Sequence, residues 1–269
     1  MISLSDLKKR KAEGRKFSCL TCYDASMAKA MELAEIDSIL IGDSLGMSIQ
    51  GRDSTLPVTV ADMAYHTAAV RRGNSHAFIM TDLPFMSYAT LNDALLSAKT
   101  VMQAGAQMVK VEGGAWLAET VQVLTRNGIP VCVHLGLTPQ SVHVFGGYKL
   151  QARTREAADQ LIADCRAVVE AGAAILLLEC VPAQLGKEIT ELFPHVPVIG
   201  IGAGNQTDGQ VLVVQDMLGL TFGKVAKFVR NFMKEQSGEM AILDAFKAYH
   251  LAVQDGSFPS AEYTFQVEL

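Results

Sequence analysis

Four carboxylates close short apolar runs in this chain. Asp43 ends "SILIGD" (Ser38 to Asp43), Asp82 ends "AFIMTD" (Ala77 to Asp82), Glu112 ends "MVKVE" (Met108 to Glu112) and Glu179 ends "AILLLE" (Ala174 to Glu179). His134 closes a fifth run, "PVCVH" (Pro130 to His134). One acid at a strand end is more often a cap or turn former than a reacting group. Four brought to one rim are different, because they repel unless positive charge lies between them. An oxygen-preferring divalent metal is the economical source of that charge, and Mg2+ typically takes one or two carboxylates with water and substrate oxygens. Lys110 adds a cation. It stands two residues before Glu112, so on a strand both side chains face one side. Burying its ammonium unpaired would be costly, so its place inside an apolar run points to a charged partner.

These side chains meet only if the elements carrying them are arranged around one centre. The five runs belong to a set of eight, completed by "KFSCLTC" (Lys16 to Cys22), "PVIGIG" (Pro197 to Gly202) and "QVLVV" (Gln210 to Val214). Helical segments lie between most of them, the clearest being Ala25 to Glu35, Val60 to Arg72, Thr90 to Gly105 and Thr154 to Gly172. Thr90 is placed to cap the third, and Gly105 and Gly172 to terminate the last two. Eight strands alternating with helices over roughly 250 residues is the pattern of a (β/α)8 TIM barrel. The expectation is a single barrel domain over residues 1–269, with an N-terminal helical lead-in, a helical tail from Gly238 to Asp255 and an irregular end, "GSFPSAEYTF". A doubly wound open sheet would normally have fewer strands, and no glycine-rich fingerprint follows the first one. In a barrel the active site lies at the C-terminal ends of the strands, so the acids, Lys110 and His134 share one mouth.

Bulk properties narrow the function. The 269 residues are 49% apolar and 19% charged, which suits a folded core rather than a disordered chain. A net charge of -5 gives no basic footprint for nucleic acid. "AGAAILLL" (Ala171 to Leu178) is far below the ~20 apolar residues of a membrane span, and no apolar signal core follows the basic N-terminal segment, so a cytoplasmic protein is expected. Cys19 and Cys22 form a C-x-x-C with no second pair, and positions three apart on a strand point to opposite faces, which reads as two reduced core cysteines. "GIGAG" (Gly200 to Gly204) has the composition of a phosphate cradle but lacks a P-loop lysine, so a tight turn explains it equally well. His66 and His76 fall in a helix and a loop, with no ligand role assigned. "VFGGYKLQAR" (Val144 to Arg153) is long for a barrel loop, and its paired glycines and tyrosine suit a cover over the mouth as well as a plain surface loop.

The motifs, taken in order, resemble the ketopantoate hydroxymethyltransferase family almost end to end. They are "TCYDA" at Thr21, "IGDSLGM" at Ile41, "DSTLPVT" at Asp53, "YHTAAVRRG" at Tyr65 and "DLPFMSY" at Asp82, then "KVEGG" at Lys110, "HLGLTPQ" at His134, "FGGYK" at Phe145, "LECVP" at Leu178 and "IGIGAG" at Ile199. The resemblance implies a metal-dependent barrel like those of the phosphoenolpyruvate/isocitrate lyase superfamily. It implies Asp43, Asp82 and Glu112 as the metal site, directly or through water, and Asp43, Ser44, Asp82 and Lys110 as contacts to an oxo acid. Glu179 matches the proton acceptor. His134 lies on the same rim, where hydrogen bonding to substrate or to metal-bound water and a purely structural role both stay open. Arg52, Ala152 and Ala226 depart from the family pattern of histidine, glycine and proline at those positions. None of them is a metal or base position.

The resemblance implies transfer of a hydroxymethyl group from 5,10-methylenetetrahydrofolate to 3-methyl-2-oxobutanoate, the first committed step of pantothenate synthesis, in a large homo-oligomer, often a decamer. The nearest rival is another metal-dependent enzyme of the superfamily acting on a C–C or P–C bond of an oxo acid. The cysteine loop motif of the superfamily lyases is not found, whereas "HLGLTPQ" and "FGGYK" resemble the transferase. A catalytically dead barrel serving as scaffold or metabolite-binding subunit is the rival of another class, and the presence of all four acids argues against it.

Overall fold

The computed structural model describes residues 1–267, so the last two residues of the expected domain lie outside it. Eight parallel strands close a barrel in sequence order: β1 (Phe17–Thr21), β2 (Ser38–Ile41), β3 (Phe78–Asp82), β4 (Met108–Glu112), β5 (Val131–Gly136), β6 (Ile175–Glu179), β7 (Val198–Ile201) and β8 (Gly209–Leu212). β1 pairs with β8, with Cys19 opposite Val211, which closes the ring. The strands are buried on both faces because one packs against the surrounding helices and the other fills the lumen. All but two strand residues are buried, the half-buried ones being Gly136 and Glu179.

The helices begin and end where their local chemistry dictates. Thr59, Thr90 and Thr154 each accept a hydrogen bond from a backbone N–H of the following first turn. Gly105 and Gly172, at φ +118 and +112, turn the chain back into β4 and towards β6. The lead-in is a helix, Leu4–Ala12, and it closes the bottom of the barrel through Arg10–Asp37 and Lys11–Asp208 ion pairs, each 2.7 Å. The tail helix is Ala241–Gln254, packed on the outside of β1, where the Tyr249 hydroxyl lies 2.9 Å from the carbonyl oxygens of both Cys19 and Gln210.

Three boundaries differ from the sequence expectation. β2 stops at Ile41, so Asp43 sits two residues beyond it, on the turn into a short helix, Leu45–Ser48. β5 runs past His134 to Gly136, and β8 ends at Leu212, with Val214 already opening a short helix, Val214–Met217. Apolar runs mark burial, and a buried turn next to a strand carries the same signal as the strand itself. β7 and β8 are joined by seven residues with no helix, and the C-terminal segment packs alongside: Phe265 accepts from the Ala183 N–H, and Lys227 donates to Thr264. The glycines of "GIGAG" serve this connection. Gly202 and Gly204 have φ +62 and +80, and a Cβ on either would lie within 2.8 Å of Phe228 or Ala183, so the segment is a tight packed turn.

Candidate active site

Strand register assembles the site. Asp82 of β3 lies opposite Lys110 of β4, and Glu112 of β4 lies opposite His134 of β5. In-register neighbours on adjacent parallel strands project to the same face, and two-residue spacing keeps Lys110 and Glu112 on that face as well. Asp82, Lys110, Glu112 and His134 therefore all enter the lumen just below the mouth, each at most 4% exposed. Asp43 joins them from the β2 turn and is 3% exposed. Gly136 ends β5 opposite Glu179 at φ +87, and a Cβ there would lie 2.4 Å from the Glu179 carbonyl oxygen, so only glycine lets β5 and β6 close at this point.

The contacts form one connected network. Lys110 Nζ is 2.8 Å from Asp82 Oδ1, 3.4 Å from Glu112 Oε1 and 3.3 Å from His134 Nδ1. His134 stands between two acids, with Nδ1 3.1 Å from Glu112 Oε1 and Nε2 3.3 Å from Glu179 Oε2. The Asp43 N–H donates to Asp82 Oδ2 at 3.0 Å. Ser44 stands half-buried at the rim, its hydroxyl 2.9 Å from the Tyr23 hydroxyl, and a side chain at Gly42 would come within 2.8 Å of it.

Charge decides how these groups titrate. Burial, then the neighbouring Asp82 and Glu112, push the Asp43 carboxyl well above the ordinary range. Burial also raises Asp82, against the pull of Lys110. Glu112 goes the other way: although burial opposes it, Lys110 and His134 bring its carboxyl down to about 2. Burial and Lys110 disfavour charge on His134, but Glu112 and Glu179 outweigh them and raise the imidazole to about 9. Lys110 likewise pays for burial and is held firmly protonated by Asp82, Glu112 and Asp43.

The residues fit a hard divalent cation. Asp43, Asp82 and Glu112 each offer an oxygen within 4.8 Å of the others. Asp82 Oδ1 is buried and, despite its ion pair with Lys110, has no aligned hydrogen-bond donor, which leaves a lone pair for a ligand. Glu112 differs in that both oxygens are engaged, Oε1 by His134 and Oε2 by the Gln140 N–H at 2.9 Å. An all-carboxylate set matches the preference of Mg2+ for oxygen over sulfur or nitrogen ligands. The cysteines stay out of this chemistry: all five are free and buried, and burial raises the Cys19 and Cys22 thiols to about 12. His66 points away, its Nδ1 2.7 Å from the Tyr23 carbonyl oxygen.

The segment after β5 folds into a 3-10 turn, Pro139–Ser141, and a short helix, Val142–Phe145, which ends at Gly146 (φ +64). Tyr148 beyond it reaches the rim, its hydroxyl 3.5 Å from Met47 Sδ, and the Gln151 N–H donates to the Cys180 carbonyl. Three non-glycine residues around the mouth have left-handed backbone, Met86 (φ +62), Ala152 (φ +51) and Cys180 (φ +48). Such positions cost on the order of 1–3 kcal/mol each and gather at functional sites. Two participants have no role in the sequence reading, Tyr88 and Gln140. Gln140 lies six residues past His134, beyond the glycine where the strand pattern ends, so no periodicity points to it.

A family model described as ketopantoate hydroxymethyltransferase matches residues 1–261. Proteins named 3-methyl-2-oxobutanoate hydroxymethyltransferase from Acinetobacter baumannii and Acinetobacter baylyi are 89% and 85% identical over 269 residues, covering all of both chains. One from a Psychrobacter species is 60% identical over 98% of this chain and all of its own. Among solved structures, phosphonopyruvate hydrolase superposes with a TM-score of 0.63 at 12% identity, covering 82% of this chain and 84% of its own. A 2,3-dimethylmalate lyase, described as a PEP mutase/isocitrate lyase superfamily member, superposes at 0.58 with 14% identity, covering 79% and 81%. At such identities these two speak for the barrel fold alone, whereas the full-length relatives speak for the family. The chain belongs to the ketopantoate hydroxymethyltransferase family.

Proposed function

We propose that the chain transfers a hydroxymethyl group from 5,10-methylenetetrahydrofolate to C3 of 3-methyl-2-oxobutanoate, giving 2-dehydropantoate, and so serves pantothenate synthesis. The single observation that carries this reading is the buried cluster of Asp43, Asp82 and Glu112 with Lys110, set beside a more exposed carboxylate, Glu179. The reaction needs a carbanion equivalent at C3, and that proton is too weakly acidic for a lone carboxylate in water. Mg2+ held by Asp43 and Asp82 would supply positive charge next to the substrate carboxylate and 2-oxo group. Lys110 adds a fixed cation, pre-oriented by Asp82, where enolate charge develops. Glu179 takes the C3 proton, and the enolate carbon bonds to the one-carbon unit; water supplies the hydroxyl as both carbon–nitrogen bonds to the folate break, and the C3 proton and one proton of the water end on the nitrogens of the departing tetrahydrofolate. Glu112 has both oxygens hydrogen-bonded within the protein and anchors Lys110 and His134, and it would add negative charge beside an ion held by Asp43 and Asp82. Ser44 at the rim orients the oxo acid.

The solved neighbours that act on phosphonates or on other acids share the fold at 11–17% identity, and that likeness gives their chemistry no claim on this chain. Helices among the described residues are too short or too polar to cross a membrane. A cytoplasmic homo-oligomer, with a decamer as the family precedent, is part of the same proposal. It is supported by exposed apolar residues after β8, among them Leu220, Phe222 and Ile242. Purified protein given Mg2+, 3-methyl-2-oxobutanoate and 5,10-methylenetetrahydrofolate should form 2-dehydropantoate, and removing the metal with EDTA should stop it. Absence of product with metal and both substrates present would refute the reading.

A further inference from the structure

Tyr88 and Gln140 sit behind the acids without facing the mouth. Gln140 is 7% exposed and Tyr88 6%. The Gln140 side-chain nitrogen donates to Asp43 Oδ2 at 2.8 Å and to the Leu83 carbonyl at 2.9 Å. Its carbonyl oxygen accepts from the Tyr88 hydroxyl at 2.5 Å. Chemistry fixes this orientation: a carboxylate and a backbone carbonyl are acceptors only, so the two-donor end of the amide must face them. The Tyr88 hydroxyl accepts from the Glu112 N–H at 3.2 Å and also lies 3.2 Å from the Glu112 carbonyl oxygen, and of its two acceptors the much closer Gln140 takes its single proton. Tyr88 thus anchors the carbonyl end of the Gln140 amide, and Gln140 holds one oxygen of Asp43.

We infer that the Tyr88–Gln140 pair makes Asp43 a one-oxygen ligand and thereby selects a small octahedral cation over a large one. The Gln140 hydrogen bond takes one lone pair of Asp43 Oδ2 and holds that oxygen towards the amide, which leaves Oδ1 as the oxygen turned to an ion. Asp82 is restricted in the same way, since its Oδ2 accepts from the Asp43 N–H. Two single-oxygen carboxylates suit Mg2+, which requires near-ideal octahedral geometry at about 2.0–2.1 Å, whereas Ca2+ takes 6–8 oxygens at about 2.3–2.6 Å and gains from bidentate carboxylates. Releasing Asp43 Oδ2 lets that carboxylate turn both oxygens to the ion, which favours Ca2+ at the expense of Mg2+. Tyr88 and Gln140 are positioning residues, because they act through Asp43 and touch neither ion nor substrate. This inference rests on the metal reading above.

The test is calorimetric titration of MgCl2 and of CaCl2 into metal-free protein, for the wild type, Gln140→Met, Tyr88→Phe and the double variant. Methionine keeps the glutamine volume without its donors, and Tyr88→Phe removes one oxygen only, so a folding failure in one variant leaves the other to decide. The wild type should prefer Mg2+, and each single variant should shift the Ca2+/Mg2+ affinity ratio towards Ca2+ by about tenfold or more, the scale of changes behind metal ligands. Because Tyr88 acts through Gln140, adding Tyr88→Phe to Gln140→Met should move the ratio little further. A wild-type ratio retained in both folded single variants, or fully additive shifts in the double variant, overturns the inference and leaves the metal reading intact. No binding of either ion to the wild type overturns both.

Discussion

Glu179→Gln is expected to lose turnover by about 10²–10⁴-fold, the usual cost of removing a general base, while still binding Mg2+ and 3-methyl-2-oxobutanoate. The glutamine has the shape of the acid and cannot take a proton at C3. Position argues for Glu179 over the other carboxylates: its side chain is 14% exposed, against 2–3% for Glu112 and Asp82, and it ends β6 at the mouth. It has one charged contact, His134 Nε2 at 3.3 Å, whereas the others are tied into the cluster around Lys110. Steady-state rates give the loss, and calorimetry with each ligand separates it from a binding defect. Near-normal turnover in Glu179→Gln would transfer the base role elsewhere.

Lys110→Met should destabilise the metal-free protein by about 3–5 kcal/mol at pH 8, the cost of stripping one partner from a buried ion pair. The methionine fills the space of the alkyl stem, so the loss is one of charge. Three buried carboxylates, Asp43, Asp82 and Glu112, would then face one another with His134 as the one cation in contact with them among the described residues. The effect should depend on pH with a defined sign. The Asp43 and Asp82 carboxyls are already raised by burial in the wild type, and losing Lys110 raises them further. A carboxyl with its folded pKa above its unfolded value binds more protons when folded, so stability falls as pH rises from about 4 through the raised value. The deficit relative to wild type should be small near pH 4–5 and grow as pH rises, as read from denaturant midpoints between pH 4 and pH 8. Saturating Mg2+ should restore part of it, because an ion bound only by the folded state adds to stability. Equal stability of variant and wild type at pH 8 would mean that Lys110 does not neutralise the cluster.

The barrel was legible in the sequence because each of its eight strands is an apolar run bounded by turn or helix signals, and because helix ends carry local chemistry at Thr90, Gly105 and Gly172. The side chains of the cluster were legible for the same reason: a charged residue at the end of an apolar run stands out against its neighbours. Register then did what spacing could only suggest, setting Asp82 beside Lys110 and Glu112 beside His134. Gln140 and Tyr88 were not legible as parts of the site. Their roles depend on where two loops cross behind the carboxylates, and hydrogen bonds spanning 97 and 52 residues leave no periodic trace. The exact end of β2 escaped as well, since Gly42 and Asp43 are as buried as the strand before them. Ala152 is a related case: the resemblance implies glycine there, and the residue sits at a φ of +51, which alanine tolerates at a cost.

In the proposed mechanism enolisation needs only the metal site, the oxo acid and Glu179, whereas carbon transfer also needs the folate. The most direct measurement is NMR of the C3 proton of 3-methyl-2-oxobutanoate in D2O with purified protein and no folate. With Mg2+ present the signal should fade as deuterium washes into C3, and EDTA should stop the exchange. A C3 signal that persists with Mg2+, in protein that forms 2-dehydropantoate once folate is added, would contradict a metal-assisted proton abstraction that precedes carbon transfer.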